Sequence, residues 1–120
     1  MIAFFDTNIV IDALKGIVQA DEEYTRYESV HISLITWMEV MVGSDDDLLC
    51  RKFLQDNFVI KPVDFVVAEE AVRLRRQRRI KLPDAIILAS AKVNNAILVT
   101  RNSRDFSDDD PAIRIPYVLQ

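Results

Sequence analysis

Four acidic residues stand in or beside stretches that read as buried: Asp6 after Ile2-Ala3-Phe4-Phe5, Glu39 inside Leu34 to Val42, Asp84 ahead of the apolar Ala85 to Ala89, and Asp105 after Ile97-Leu98-Val99. A buried carboxylate must be paired, protonated or bound to a metal ion. Two carboxylates about 4 Å apart repel by about 4 kcal/mol at an effective dielectric of about 20, so a cluster without a resident cation implies one that binds. Hard oxygen ligands favour Mg²⁺ or Mn²⁺, and the chemistry such a centre supports is metal-assisted hydrolysis. Each acid taken singly has a plainer explanation. Asp6 and Asp84 suit helix N-caps, Glu39 a solvated helix face, and Asp105 a loop. Capping does not explain why strand ends and internal helices should all deliver carboxylates to one edge.

Other catalytic chemistries find no residues. His31 is the sole histidine and falls in an expected strand, so a Ser-His or Cys-His pair has nothing else to use, and it reads as structural. Cys50 is the only cysteine, which excludes an internal disulfide and a cysteine-built zinc site; beside Leu48 and Leu49 it reads as an inert core thiol. With only Gly16 and Gly43 there is no glycine loop to cradle a phosphate. A receiver-type phospho-acceptor domain would need adjacent acids after the first strand and a late lysine at the pocket. Here Asp6 is followed by Thr7, and the last lysine, Lys92, falls inside a helix.

The elements that must position these acids alternate along the chain. Strands are expected at Ile2 to Phe5, Val30 to Ser33, Phe58 to Lys61, Ala96 to Thr100 and, as an edge blunted by Pro116, Ile113 to Ile115. Helices are expected at Thr7 to Leu14, Asp21 to Glu28, Leu34 to Val42, Asp45 to Asp56, Asp64 to about Arg79, and Pro83 to about Val93, closed by Asn94-Asn95. This pattern predicts an α/β fold with a parallel sheet and helices on both faces. Ligands bind beyond the carboxyl ends of such strands. Asp6 and Asp105 then share one edge if the first and fourth strands are neighbours, and Glu39 lies on the same helical face as Thr36, three residues before it.

The chain has 120 residues, 50% of them apolar, enough for one core and little for a second. No linker or repeat divides it, so residues 1–120 are expected to form one domain. Met1 to Phe5 lacks a basic flank and no stretch approaches membrane-spanning length, which predicts a soluble, cytoplasmic protein with no membrane partner. The net charge of −4 hides an asymmetry. Residues 1–60 carry 11 acids and 4 bases, net −7; residues 61–120 carry 8 acids and 11 bases, net +3. The positive half holds Arg73, Arg75, Arg76, Arg78, Arg79 and Lys81, which could grip phosphates or could complement the dipole at a helix end.

At four places the chain resembles the PIN-domain ribonucleases, and within them the VapC-type toxins of toxin–antitoxin pairs. These are Asp6-Thr7-Asn8, Ser33-Leu34-Ile35-Thr36-Trp37-Met38-Glu39, Leu82-Pro83-Asp84-Ala85, and Leu98-Val99-Thr100-Arg101-Asn102-Ser103-Arg104-Asp105-Phe106, in family order over nearly the whole chain. The resemblance implies a three-layer α/β/α fold around a parallel sheet of four to five strands. It implies a catalytic, metal-binding core of Asp6, Glu39 and Asp84 around Mg²⁺, or Mn²⁺, with Asp105 as a fourth acid. Asn102 competes with Asp105 for that fourth position. Asn8, Thr100 and Arg101 match pocket or substrate positions, and Asp12 falls either near the pocket or in helix packing. The implied function is an endoribonuclease toxin acting on RNA, a homodimer or larger assembly, inhibited by a cognate antitoxin. Trp37, Met38 and Met41, or Tyr24 and Tyr27, could line the antitoxin groove or belong to the core. This chain is short for the family, and Asp108-Asp109-Asp110 would repel RNA unless turned away. The alternative is a catalytically silent PIN-like module that binds RNA or protein.

Overall fold

Ile2–Phe5 forms the central strand β1 of a five-stranded, wholly parallel sheet, in a computed structural model that describes residues 1–120. Its partners are β2 (Ser29–Ser33) on one side and β4 (Ile97–Val99) on the other; β3 (Val59–Lys61) and the two-residue β5 (Ile113–Arg114) are the edges, giving the order β3-β2-β1-β4-β5. Successive β1 side chains enter opposite cores. Phe4 packs with Leu88 and Leu98, whereas Ala3 and Phe5 pack with Ile9, Val10, Ile32 and Leu54. A strand buried on both faces needs no polar alternation, which is why Ile2-Ala3-Phe4-Phe5 is a continuous apolar run.

Six helices cover the sheet: α1 (Thr7–Leu14), α2 (Val18–Tyr24), α3 (Leu34–Val42), α4 (Asp47–Asn57), α5 (Phe65–Gln77) and α6 (Leu82–Val93). The expected three-layer α/β/α arrangement is present. One core lies between the sheet and α5–α6, through Val67, Ala71, Leu74, Ala85, Ile87 and Leu88. The other joins α1 and α4 to the opposite face, through Ile9, Val10, Cys50 and Leu54. Tyr24, Tyr27, Trp37 and Met41 pack partly buried on this second core, while Met38 is exposed. Cys50 is buried and unpaired. His31 lies in β2 edge-on to Phe4, and burial together with Lys61 lowers its pKa.

The departures from expectation lie at helix ends. The second helix runs Val18–Tyr24 rather than from Asp21 to Glu28, because Ile17 starts it without any side-chain cap. Asp46 caps α4 by accepting from the Leu49 amide at 3.1 Å, which moves its start past Asp45. Helix α5 stops at Gln77, so Arg78 to Lys81 form an extended connector rather than a last helical turn. Lys81 is the N-cap of α6 and Pro83 lies in its first turn. Asp84 is therefore inside the helix rather than its cap. Asn94-Asn95 ends α6 as expected, with Asn95 at φ 52°.

Strand connections leave β1 toward β2 on one side, and the chain returns to β4 on the other. The crevice at their carboxyl ends is the switch point at which α/β sheets bind ligands.

Candidate metal centre at the carboxyl edge of the sheet

Phe5 pairs with Val99, and the Asp6 amide donates to the Val99 carbonyl at 2.9 Å, so β1 and β4 are adjacent up to their last residues. Asp6 follows β1 directly and is 4% exposed. Its two carboxylate oxygens divide the work. Oδ1 accepts from the Thr7 amide at 2.8 Å and caps α1, while Oδ2 accepts from the Thr100 hydroxyl at 2.7 Å and the Asn8 amide group at 3.3 Å. Capping and a site role thus coexist in one side chain. Burial raises the Asp6 pKa against these hydrogen bonds, and Glu39 adds to the rise.

Thr100 is fully buried at the end of β4 and is the joint of the site. Besides donating to Asp6, its hydroxyl accepts from the Asn102 amide at 3.0 Å and lies 3.4 Å from the Asn8 side-chain nitrogen. Asn8 in turn accepts from the Arg101 amide at 3.0 Å. The start of α1 and the segment after β4 are therefore stitched together across the seam.

Glu39 reaches the same edge from α3. Its carboxylate accepts from the Thr7 hydroxyl at 2.5 Å, and the buried Thr36 hydroxyl is 3.3 Å from the same Thr7 oxygen. Thr7 is expected to start a helix and to belong to the Asp6-Thr7-Asn8 motif, without a role of its own. Its functional placement follows from two facts visible in the sequence, a hydroxyl next to Asp6 and a polar Thr36–Glu39 face on an otherwise apolar helix.

Asp105 and Asn102, the two candidates for the fourth position, are hydrogen-bonded to each other. The Asn102 side chain donates to Asp105 Oδ2 at 3.0 Å and accepts from the Asp105 amide at 3.2 Å, so Asn102 holds Asp105 in place.

Asp84, in the first turn of α6, has no hydrogen-bond or ion-pair partner. Burial raises its pKa to about 6, with further rises from Asp6, Asp105 and Glu39 and an opposing pull from Lys81. Asp84 therefore feels the other three acids, and Asp6 feels Glu39. None of them forms an ion pair with lysine or arginine. The all-oxygen donor set, uncompensated by any cation, fits a hard divalent ion. In this conformation no three of these side chains are drawn together closely enough to chelate one.

Arg101 turns away from the acids. Its guanidinium is bidentate to Asp12, at 2.6 and 3.0 Å, and the Tyr117 hydroxyl donates to Asp12 at 2.8 Å. Asp12 is 3% exposed, so it belongs to helix packing, and Arg101 contributes to the pocket through its backbone. Asp110 also turns inward, held by Arg78 and Lys92 at 2.7 and 3.2 Å, whereas Asp108 and Asp109 are exposed.

Residues 3–109 match the PIN domain family. Among solved structures, a chain of a toxin–antitoxin complex from Klebsiella pneumoniae is 41% identical, with a TM-score of 0.90 over 98% of this chain and 99% of that one. FitAB bound to the IR36 DNA fragment contains a chain with 23% identity and a TM-score of 0.78, covering 100% and 98% of the two chains. VapBC2 from Rickettsia felis, bound to a DNA fragment from its promoter, contains one with 22% identity and a TM-score of 0.76, covering 94% and 96%. These two show the fold alone. No curated protein matches the chain significantly. The chain belongs to the PIN-domain family, and the VapC-type resemblance carried by its four motifs agrees with the toxin–antitoxin complexes among its structural neighbours.

Proposed function

We propose that this protein is a metal-dependent endoribonuclease, the toxin of a toxin–antitoxin pair, and that Asp6, Glu39, Asp84 and Asp105 bind Mg²⁺ or Mn²⁺ and carry the reaction. The observation that carries the reading is Asp84. It is a partly buried carboxylate with no partner, and three other carboxylates push its pKa up. Folding has gathered negative charge that no ion pair with lysine or arginine neutralises.

A divalent ion bound there supplies Lewis-acid activation of a water and neutralises charge developing on the phosphoryl oxygens. The chain's own residues supply position. Thr7 and Thr100 hold the two oxygens of Asp6, Thr7 also orients Glu39, and Asn102 fixes Asp105. Such preorganisation spares reorganisation during the reaction. Asp84, free of partners, is the acid best able to move onto an arriving cation.

A cognate antitoxin is the implied inhibitor. A cavity of about 510 Å³ lined by Ile11, Leu14, Val40, Leu49 and Phe53 offers an apolar channel for an antitoxin segment. Tyr24, Tyr27, Trp37 and Met41, the other candidates for such a contact, are partly buried against the same core, and Met38 is exposed. A homodimer completes the proposed assembly.

The catalytically silent module is favoured by one observation, the absence of a ready-formed chelating triad. Incubation of the purified protein with total RNA in Mn²⁺, in EDTA, and as Asp6→Asn separates the two. The nuclease reading expects cleavage only by wild type with metal. Cleavage that survives EDTA overturns the metal mechanism, and no cleavage despite metal binding supports the silent module.

A further inference from the structure

The six bases between Arg73 and Lys81 divide into two sets. Arg73 is paired with Glu70 and donates to Gln77 at 3.1 Å, and Arg78 is paired with Asp110 at 2.7 Å. Arg75, Arg76, Arg79 and Lys81 are exposed and have no carboxylate partner. Arg76 faces a surface hollow with Phe65 and Val72, whereas Arg75, Arg79 and Lys81 converge with Ile80 on one shallow depression.

Helix-end electrostatics account for only part of this. Bases in the last turn of a helix complement its dipole, which explains Arg75 and Arg76. Arg79 lies beyond the end of α5, and Lys81 is the N-cap of α6, where a cation faces the positive end of a dipole. Lys81 is thus placed against its own helix. It also stands three residues before Asp84, so the cap and the acid share the first turn of α6. The depression therefore adjoins the carboxylates, and its charge has sign opposite to theirs.

We propose that Arg75, Arg79 and Lys81 form a phosphate-binding wall that leads a single-stranded RNA backbone to the carboxylate cluster. The inference rests on the nuclease reading and adds the contact surface to it. The chain as a whole is negative, at −4, and the acids repel phosphate, so a polyanion needs a local cationic path. With a Debye length of about 8 Å at physiological salt, only bases beside the acids can provide it. The internally paired Arg73 and Arg78 take no part.

The test compares wild type with R75Q/R79Q/K81Q and with K15Q/R26Q/K52Q, which removes the same charge elsewhere. Binding of a fluorescent single-stranded RNA is measured in EDTA across a salt series. The wall variant is expected to lose at least about tenfold in affinity at low salt, and its log–log salt slope to fall by about 2, since each single-strand phosphate contact contributes roughly 0.7. The control variant keeps the wild-type slope. In Mn²⁺, the wall variant raises KM and leaves kcat near wild type.

Equal losses in both variants, or an unchanged slope in the wall variant, overturn the proposal. Cleavage by all three proteins with unchanged slopes removes the wall and leaves the nuclease. RNA binding with the expected slope change but no cleavage in Mn²⁺ removes the nuclease and leaves the wall. No RNA binding by wild type removes both.

Discussion

The Thr100 hydroxyl donates to Asp6 Oδ2 at 2.7 Å, tying the end of β4 to the first acid of the site across a fully buried contact. This bond stabilises a carboxylate that burial otherwise pushes toward its protonated form. Thr100→Val keeps the shape and removes the donor, leaving the buried carboxylate short of a partner. It is expected to cost about 1–3 kcal/mol at pH 7. Denaturant unfolding of Thr100→Val and Thr100→Ser checks this, with the serine variant retaining most of the stability.

A second consequence concerns pH. The Asp84 pKa rises from an ordinary 3.8 to about 6 in the folded chain. A group raised on folding contributes stability that is fully present below its unfolded pKa and is lost as pH rises through its folded pKa. In the metal-free protein the Asp84 contribution should therefore disappear between about pH 4 and pH 6. Asp110, where Ala112, Arg78 and Lys92 outweigh burial and hold the pKa at about 2, has the opposite sign, and its contribution is lost only below about pH 4. Melting temperatures of wild type and Asp84→Asn from pH 4 to 7.5 isolate the first effect. The variant should become the more stable of the two as pH rises, and parallel curves would contradict it.

The Asp12–Arg101–Tyr117 cluster anchors the segment that carries Asn102 and Asp105. Removing one partner of a buried ion pair leaves the other uncompensated, and Asp12→Asn is expected to cost about 3 kcal/mol, near the low end for such pairs because Arg101 is partly exposed. Tyr117→Phe, which removes one hydrogen bond, should cost about 1 kcal/mol. Amide exchange in Asp12→Asn should rise first at residues 101–106, whose hydrogen bonds to Asn8 and Thr100 depend on that anchor.

How much of this was legible beforehand depended on the kind of signal. β1 could be read because its apolar run ends abruptly at Asp6, and the three acids in helices or strand ends stand against apolar neighbours. The neighbouring of β1 and β4 could be stated only as a condition, since strand order is a long-range property that alternation does not encode. Helix α2 is displaced because Ile17 provides no capping signal, and capping stood as the plainer alternative for Asp84 because aspartate before an apolar run looks like a cap. The fate of Arg101 and Asp110 was invisible, because an exposed charge and one paired across 89 residues, or across 32, look alike in sequence. The pairing of Asn102 with Asp105 is local and could have been anticipated from their three-residue spacing in a turn.

If the acids repel one another without metal, Mn²⁺ should raise the melting temperature of wild type, because a ligand that binds only the folded state stabilises it by mass action. Asp84→Asn should respond less and should start from a more stable metal-free state. Identical shifts in both proteins would place the ion elsewhere.

The most direct measurement is calorimetric titration of Mn²⁺ into the metal-free protein at pH 7.5, for wild type and for Asp84→Asn. Wild type should bind, with little proton release from Asp84 at this pH and more as the pH is lowered toward 6, and the variant should bind at least about tenfold more weakly. Absence of binding to wild type, or equal affinity in the two proteins, would contradict a metal centre built on these carboxylates.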